Sequence, residues 1–135
     1  MNLVKDRRGF TLLEVLLAIC FLAIGMMALA TLQSRGIRGN DLANRTTQAL
    51  ALAQIKMEEY IHRSRSETLA AGTTNDPDNP ITETENGGGI FSRSWTIQND
   101  TPVPHAQTIT VTVSWNDIMG QHNVILNDVI TFDSH

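Results

Sequence analysis

The sequence predicts an α+β fold in which a long N-terminal helix packs on a small antiparallel sheet of three to four strands. An uncharged run of eighteen residues from Val15 to Leu32 is followed by apolar residues at helical spacing as far as about Leu69. A turn-rich segment then leads into stretches in which apolar and polar residues alternate. With 135 residues, the chain has room for one modest core besides the apolar helix.

The apolar run is long enough for a membrane-spanning helix. At about 1.5 Å per residue it extends ~27 Å, close to the hydrocarbon thickness of a bilayer. Lys5, Arg7 and Arg8 precede it, so the positive-inside rule predicts a cytoplasmic N-terminus and a body on the other side. A cleaved secretory signal is disfavoured, because the run is longer than a signal core and no small-residue cleavage site follows it.

The only cysteine, Cys20, lies inside this run, so the remainder of the chain can form no internal disulfide. Residues Leu17 to Cys20 superficially resemble a lipoprotein cleavage site. That interpretation is disfavoured because Ile19 is bulky where the cleaving enzyme needs a small residue, and because apolar residues continue after the cysteine. We interpret Cys20 as a small apolar residue.

Glu14 stands at the entrance of the apolar run. An unpaired carboxylate in hydrocarbon costs about 2.5–3.5 kcal/mol on insertion scales, so Glu14 needs an interfacial position, a partner or a function. Its simplest interpretation is a residue at the headgroup level, solvated by snorkelling and favoured by the helix N-terminus.

The residues around Glu14 support a second interpretation. The sequence RRGFTLLE, from Arg7 to Glu14, resembles the prepilin processing motif of type IV pilins and type II secretion pseudopilins. The resemblance implies a type IV pilin fold and a leader peptide at residues 1–9. It also implies cleavage between Gly9 and Phe10 by a prepilin peptidase in the bacterial inner membrane, followed by methylation of the new amino group of Phe10.

Cleavage would also give Glu14 a partner, because the new α-amino group at Phe10 is a cation with a reference pKa of about 7.7–8.0. Within one helix, Phe10 and Glu14 are four residues apart and share a face. Between subunits, the resemblance implies that Glu14 pairs with the N-terminus of a neighbouring pilin in the filament core. Residues 10–32 are then a transmembrane and assembly helix.

The run AIGMMALATLQ at positions 23–33 resembles the PilV group of minor pilins. Small residues such as Gly25, Ala28 and Ala30 would let neighbouring helices approach closely. Major pilins commonly have a helix-kinking proline in this region, whereas the first proline here is Pro77. The resemblance implies a minor pilin that helps to initiate pilus assembly at the tip and becomes extracellular, with other minor pilins, the major pilin and a tip adhesin as candidate partners.

Two alternatives stay open. A type II secretion pseudopilin shares every N-terminal feature, but would push secreted substrates instead of supporting adhesion or motility. A single-pass, membrane-anchored periplasmic binding module would never polymerise, and its Glu14 would be merely interfacial.

Residues 33–71 predict an amphipathic continuation of the helix, ended by Gly72. Gly36 and Gly39 each weaken a helix by about 1 kcal/mol, so the sequence leaves open whether the helix is interrupted there. Met57, Tyr60 and Ile61 are predicted core residues. The positions that recur at helical spacing are Leu42, Thr46, Leu50, Ala53, Met57 and Ile61.

Residues 72–89 are dense in turn-forming residues and predict a loop, with a short strand at Ile81–Glu83 as an option. Several side chains there could offer oxygen ligands to Ca²⁺, but Pro77 and Pro80 interrupt the run and no EF-hand spacing exists. We therefore predict a solvated turn, with no metal and no cofactor. The candidate ligands are Asn75, Asp76, Asp78 and Asn79.

Residues 90–135 predict an antiparallel meander. The first strand contains Phe91, Trp95 and Ile97, the second contains Ile109, Val111, Val113 and Trp115, and the third runs from Val124 to Phe132, after a hairpin at Asn116–Gln121. Trp95 and Trp115 are predicted to pack against the helix, in preference to acting as carbohydrate platforms.

Charge and motifs exclude several functions. After Arg65, nine carboxylates stand against Arg93 alone, a net charge of −8 that would repel nucleic acid and that suits either plain solubility or a basic partner surface. No nucleophile elbow, phosphate-binding loop or zinc motif is present, so we predict no enzymatic activity. The histidines are scattered at His62, His105, His122 and His135.

Overall fold

A computed structural model of the chain describes residues 9–131. Most of the predicted leader, including Lys5, Arg7 and Arg8, lies outside the described residues. The same holds for Phe132 at the end of the third predicted strand and for His135.

One α-helix, α1, spans Leu12–Ser64. It continues without a break through Gly36 and Gly39, which answers the question that these glycines left open. The chain divides into two compact units, one ending at Asp41 and one beginning at Leu42. The first unit contains the apolar part of α1, and the second contains the rest of the helix and the sheet.

The end of α1 differs from the predicted end near Leu69. The last turn tightens, because the Arg65 N–H donates to the His62 carbonyl three residues back. The Ser64 hydroxyl also donates to a carbonyl of this turn, that of Ile61, at 2.8 Å. Leu69 lies beyond the helix and is 3% exposed in the core.

Four strands form one antiparallel sheet in the order β1-β2-β3-β4, which confirms the predicted α+β fold. The strands are β1 Gly72–Asn75, β2 Ser92–Asn99, β3 Ala106–Asp117 and β4 Gly120–Thr131. The prediction that residues 72–89 form only a loop is therefore wrong at β1, which pairs with β2 through its backbone. The optional strand at Ile81–Glu83 reduces to isolated bridges made by Ile81 with Gly87 and Phe91.

The core lies between the C-terminal part of α1 and one face of the sheet. Met57 and Tyr60 are buried as predicted, whereas Ile61 is only partly buried. Thr46 and Leu50 are exposed, so the buried face of α1 is rotated from the predicted one towards Ala49 and Leu52. The sheet contributes Trp95, Ile97, Ile109, Val111, Val113 and Trp115 to this core.

Both tryptophans are core residues, as predicted. Trp95 is 6% exposed and Trp115 is 3% exposed, so neither offers a ring face to a ligand. The Tyr60 ring lies 5.6 Å from the Trp95 ring, and the Phe91 ring meets Trp115 edge-on at 5.9 Å. The first of these aromatic contacts joins α1 to β2, and the second joins the residue before β2 to β3.

Candidate functional site

The predicted processing residues lie at the start of α1. Gly9 and Phe10 precede the helix, and both are exposed. Thr11 caps the helix, because the Glu14 N–H lies 3.1 Å from the Thr11 carbonyl oxygen and 3.3 Å from its hydroxyl. Glu14 is the acidic residue of the first turn, where the partial positive charge of the helix N-terminus favours a carboxylate.

Phe10 and Glu14 share one groove on the surface of the first compact unit, which ends at Asp41, as their spacing predicts. Every other described residue that lines the groove is apolar, so among residues 9–131 the Glu14 carboxylate is its only ionisable group. The remaining lining residues are Val15, Ala18, Ile19 and Leu22. The structure thus brings the two predicted assembly residues together beside an apolar surface.

The apolar part of α1 is uncovered throughout the described chain. The most apolar eighteen-residue window of the helix is 0% buried, and large side chains such as Phe21 and Met27 are each 72% exposed. Water-exposed apolar patches of this extent mark surfaces that meet lipid or protein. By length and composition this helix is compatible with a single-pass membrane anchor.

A second feature, in the unit that contains the sheet, is a buried arginine. Arg93 on β2 is 4% exposed, and its guanidinium donates to Asp76 Oδ2 from Nε at 2.9 Å and from Nη2 at 2.6 Å. Nη1 donates to Glu85 Oε1 at 2.6 Å and to the Leu52 carbonyl of α1 at 3.1 Å. The side chain therefore joins helix, sheet and the segment between β1 and β2.

The same contacts account for the Asp76 segment. Burial raises the pKa of Asp76, but the hydrogen bonds from Arg93 and from the Asp78 N–H outweigh it, so this pKa lies below its ordinary value. Asn79 also contributes, donating to the Arg93 carbonyl and accepting from the Arg93 N–H, both at 2.8 Å. Asp76 and Asn79, two of the considered Ca²⁺ ligands, are thus engaged by Arg93.

Sequence reasoning missed this cluster. The residues between β1 and β2 are not a purely solvated turn, since the Asp76 side chain is only 6% exposed. One signal was available: Arg93 sits between Phe91 and Trp95 on the apolar face of the predicted strand, and a cation at such a position needs a carboxylate. The pattern does not reveal which of the nearby acids is the partner.

The described histidines do not form a site. His62 is on α1, His105 lies between β2 and β3, and His122 is on β4. His122 stacks on Trp115 with ring centroids 5.4 Å apart, and its Nε2 lies 3.0 Å from Asp117 Oδ2. Among residues 9–131, no three His, Cys, Asp or Glu side chains are grouped so that they could hold a metal ion.

Comparisons with known proteins give no further guide, because no family model, curated protein or solved structure matches this chain.

Proposed function

We propose that the chain is a minor pilin of a type IV pilus, processed by a prepilin peptidase and incorporated through the apolar part of α1 to help initiate assembly at the tip. One observation carries the proposal. An apolar helical surface that the described chain leaves uncovered begins at Val15, five residues after Phe10 of an exposed, non-helical Gly9–Phe10 bond, and Glu14 stands at its entrance.

The backbone at the proposed cut suits a protease. A peptidase binds its substrate in an extended conformation, and Gly9 and Phe10 lie before the first helical residue, Leu12. A glycine on the leader side has no Cβ to hinder the close approach of the enzyme to the backbone. Phe10 is 83% exposed, so its side chain is available to the enzyme.

The role proposed for Glu14 follows from charge. In a helical bundle the carboxylate would be desolvated, and the new amino group of Phe10, from the same chain or from a neighbour, would be its counter-charge. Pairing between neighbours favours one axial register of the helices, because any other register leaves a charge buried alone. The exposed apolar side chains attract neighbouring helices, and the ion pair between Glu14 and the Phe10 amino group sets the axial register of these helices.

Intact-mass measurement of the full chain tests the processing step. The protein is extracted from the membranes of two strains that differ only in the prepilin peptidase gene. We expect a chain that begins at a methylated Phe10 when the enzyme is present, and the uncut chain when it is absent. A chain that still begins at Met1 in both strains would refute the proposal and favour an anchored binding module.

A matched pair of variants tests the assembly step. Glu14→Gln should leave cleavage intact but lower recovery in sheared pili at least about tenfold, because losing one side of a buried ion pair costs more than about 1.4 kcal/mol. Glu58→Gln removes an exposed acid from the same helix and should assemble normally. Equal recovery of both variants would contradict the pairing role, and recovery of the chain only with a secretion pseudopilus would favour the pseudopilin alternative.

A further inference from the structure

Within residues 9–131, the strand β4 forms a long edge of the sheet that pairs with no further strand. It is the last strand in the order, and all twelve of its residues, Gly120–Thr131, pair with β3 in one unbroken register. The opposite edge, β1, has only four residues. The free side of β4 is therefore the longest backbone surface in the described sheet at which a further strand could add.

The hairpin shows which backbone groups face this free edge. Asp117 pairs with Gly120 across a two-residue turn, so these two residues form the first hydrogen-bonded pair of the ladder. Because such pairs alternate, the even-numbered residues of β4 bond to β3. The odd-numbered residues, including Ile125, Asn127 and Val129, direct their N–H and C=O groups outward.

Apolar side chains flank this edge on both faces of the sheet. Ile125 is 56% exposed and Val129 is 45% exposed on the outer face. On the face that packs towards the core, Val124, Leu126 and Ile130 are only partly buried. Apart from Asp128, β4 carries none of the common features that protect an edge, such as a lysine, a proline or a bulge.

Asp128 makes the edge selective. Its carboxylate accepts a hydrogen bond from the outward N–H of Val129 at 2.9 Å, so the acid occupies one backbone donor of the edge. An incoming apolar or acidic strand would desolvate this carboxylate without compensation. A strand with a lysine or arginine at that position would replace the lost hydration with an ion pair.

We propose that the free edge of β4 binds an extended, basic segment of another protein, which adds as a fifth strand and places a cation against Asp128. A second copy of this chain is a poorer occupant, because neither of its edge strands, β1 and β4, contains a lysine or arginine. The surrounding sequence is also strongly acidic, with a net charge of −8 after Arg65. The proposal goes beyond assembly through α1 and does not depend on it.

Hydrogen exchange of the full chain in detergent micelles tests the proposal. The probes are short synthetic peptides of alternating threonine and valine with interspersed lysines, and a matched peptide with glutamate in place of each lysine. At low ionic strength the lysine peptide should slow exchange of the outward amides of Ile125 and Asn127. The glutamate peptide should leave this exchange unchanged, and a lysine peptide with methylated backbone nitrogens should protect less.

Two variants separate the edge from general electrostatics. Asp128→Asn should weaken binding of the lysine peptide about threefold to tenfold. Glu83→Gln removes the same charge from an exposed site outside β4 and should leave this binding unchanged. Asn127→Pro removes an outward N–H without removing a bond to β3, and should abolish binding with the fold retained. Equal binding of both peptides, equal effects of the two acid variants, or self-association of the full chain through β4 would overturn the proposal.

Discussion

The Arg93 guanidinium is buried in the compact unit that begins at Leu42, here called the body, and Arg93→Met should destabilise this body strongly. Methionine keeps an unbranched side chain but removes the hydrogen bonds to Asp76, Glu85 and the Leu52 carbonyl. The Asp76 side chain is 6% exposed and would stay buried without its counter-charge. The variant therefore creates an uncompensated buried carboxylate as well as losing contacts.

The size of the loss can be estimated from these contacts. Breaking a buried ion pair from one side costs about 3–5 kcal/mol. The bond to Glu85 adds little, because that side chain is 38% exposed and water can solvate it when the arginine is removed. For a body of this size each 1 kcal/mol shifts Tm by about 4–8 °C, so we expect Tm to fall by more than about 10 °C.

Urea unfolding of the full chain in micelles measures this loss, because the fluorescence of Trp95 and Trp115 reports on the core. Arg65→Met replaces an exposed arginine and should change the free energy of unfolding by less than about 0.5 kcal/mol. The double variant Arg93→Met with Asp76→Leu should regain most of the loss, since no charge then remains buried. A single variant as stable as the Arg65→Met control would refute the reasoning, and so would a double variant that shows no recovery.

Three further predictions concern the fold. Because the pKa of Asp76 is lowered in the folded body, its contribution is complete above the ordinary Asp pKa of about 3.9 and is lost as the pH falls through the lower folded value. The urea concentration at the unfolding midpoint should therefore decrease when the pH is lowered below about 4. The decrease should be smaller in the double variant Arg93→Met with Asp76→Leu. Gly89→Ala should cost at least about 2 kcal/mol in urea unfolding, since a Cβ there would overlap the Ile81 carbonyl. Gly36→Ala meets open space within α1 and should stabilise the helix by about 1 kcal/mol, seen as helical circular dichroism that persists to higher temperature.

The elements that the sequence predicted are those with a regular apolar period. The C-terminal part of α1, β2 and β3 bury one face each, and β4 partly buries one, so apolar residues recur at intervals that sequence alone reveals. β1 buries no side chain and is held by backbone pairing and by one contact between the Thr73 and Thr96 hydroxyls at 2.9 Å. A strand stabilised in this way shows no apolar periodicity in the sequence.

The two parts of the candidate site also differ in whether sequence alone predicts them. Gly9, Phe10 and Glu14 are local in sequence, so their spacing predicted that they would lie together. The Arg93 cluster joins residues up to 41 positions apart, between Leu52 and Arg93, and depends on how the chain crosses the sheet. The helix face was predicted with an error for a related reason: Ala49 and Leu52 fit against the sheet better than Thr46 and Leu50, and only the packed structure shows this.

The burial of Arg93 also bears on how the body can associate. Arg93 is the only lysine or arginine after Arg65, and its side chain is buried. The surface formed by the residues after Arg65 therefore carries carboxylates but no exposed lysine or arginine. Such acidic surfaces repel one another, which disfavours association of two copies through this part of the chain and is consistent with the proposed assembly through the exposed apolar part of α1. A basic partner at β4 would instead be attracted by charge. Salt should separate binding at the β4 edge from association of copies through α1. Screening weakens the attraction of a basic partner to the β4 edge, whereas it weakens the repulsion between acidic copies and so favours association of the apolar helices.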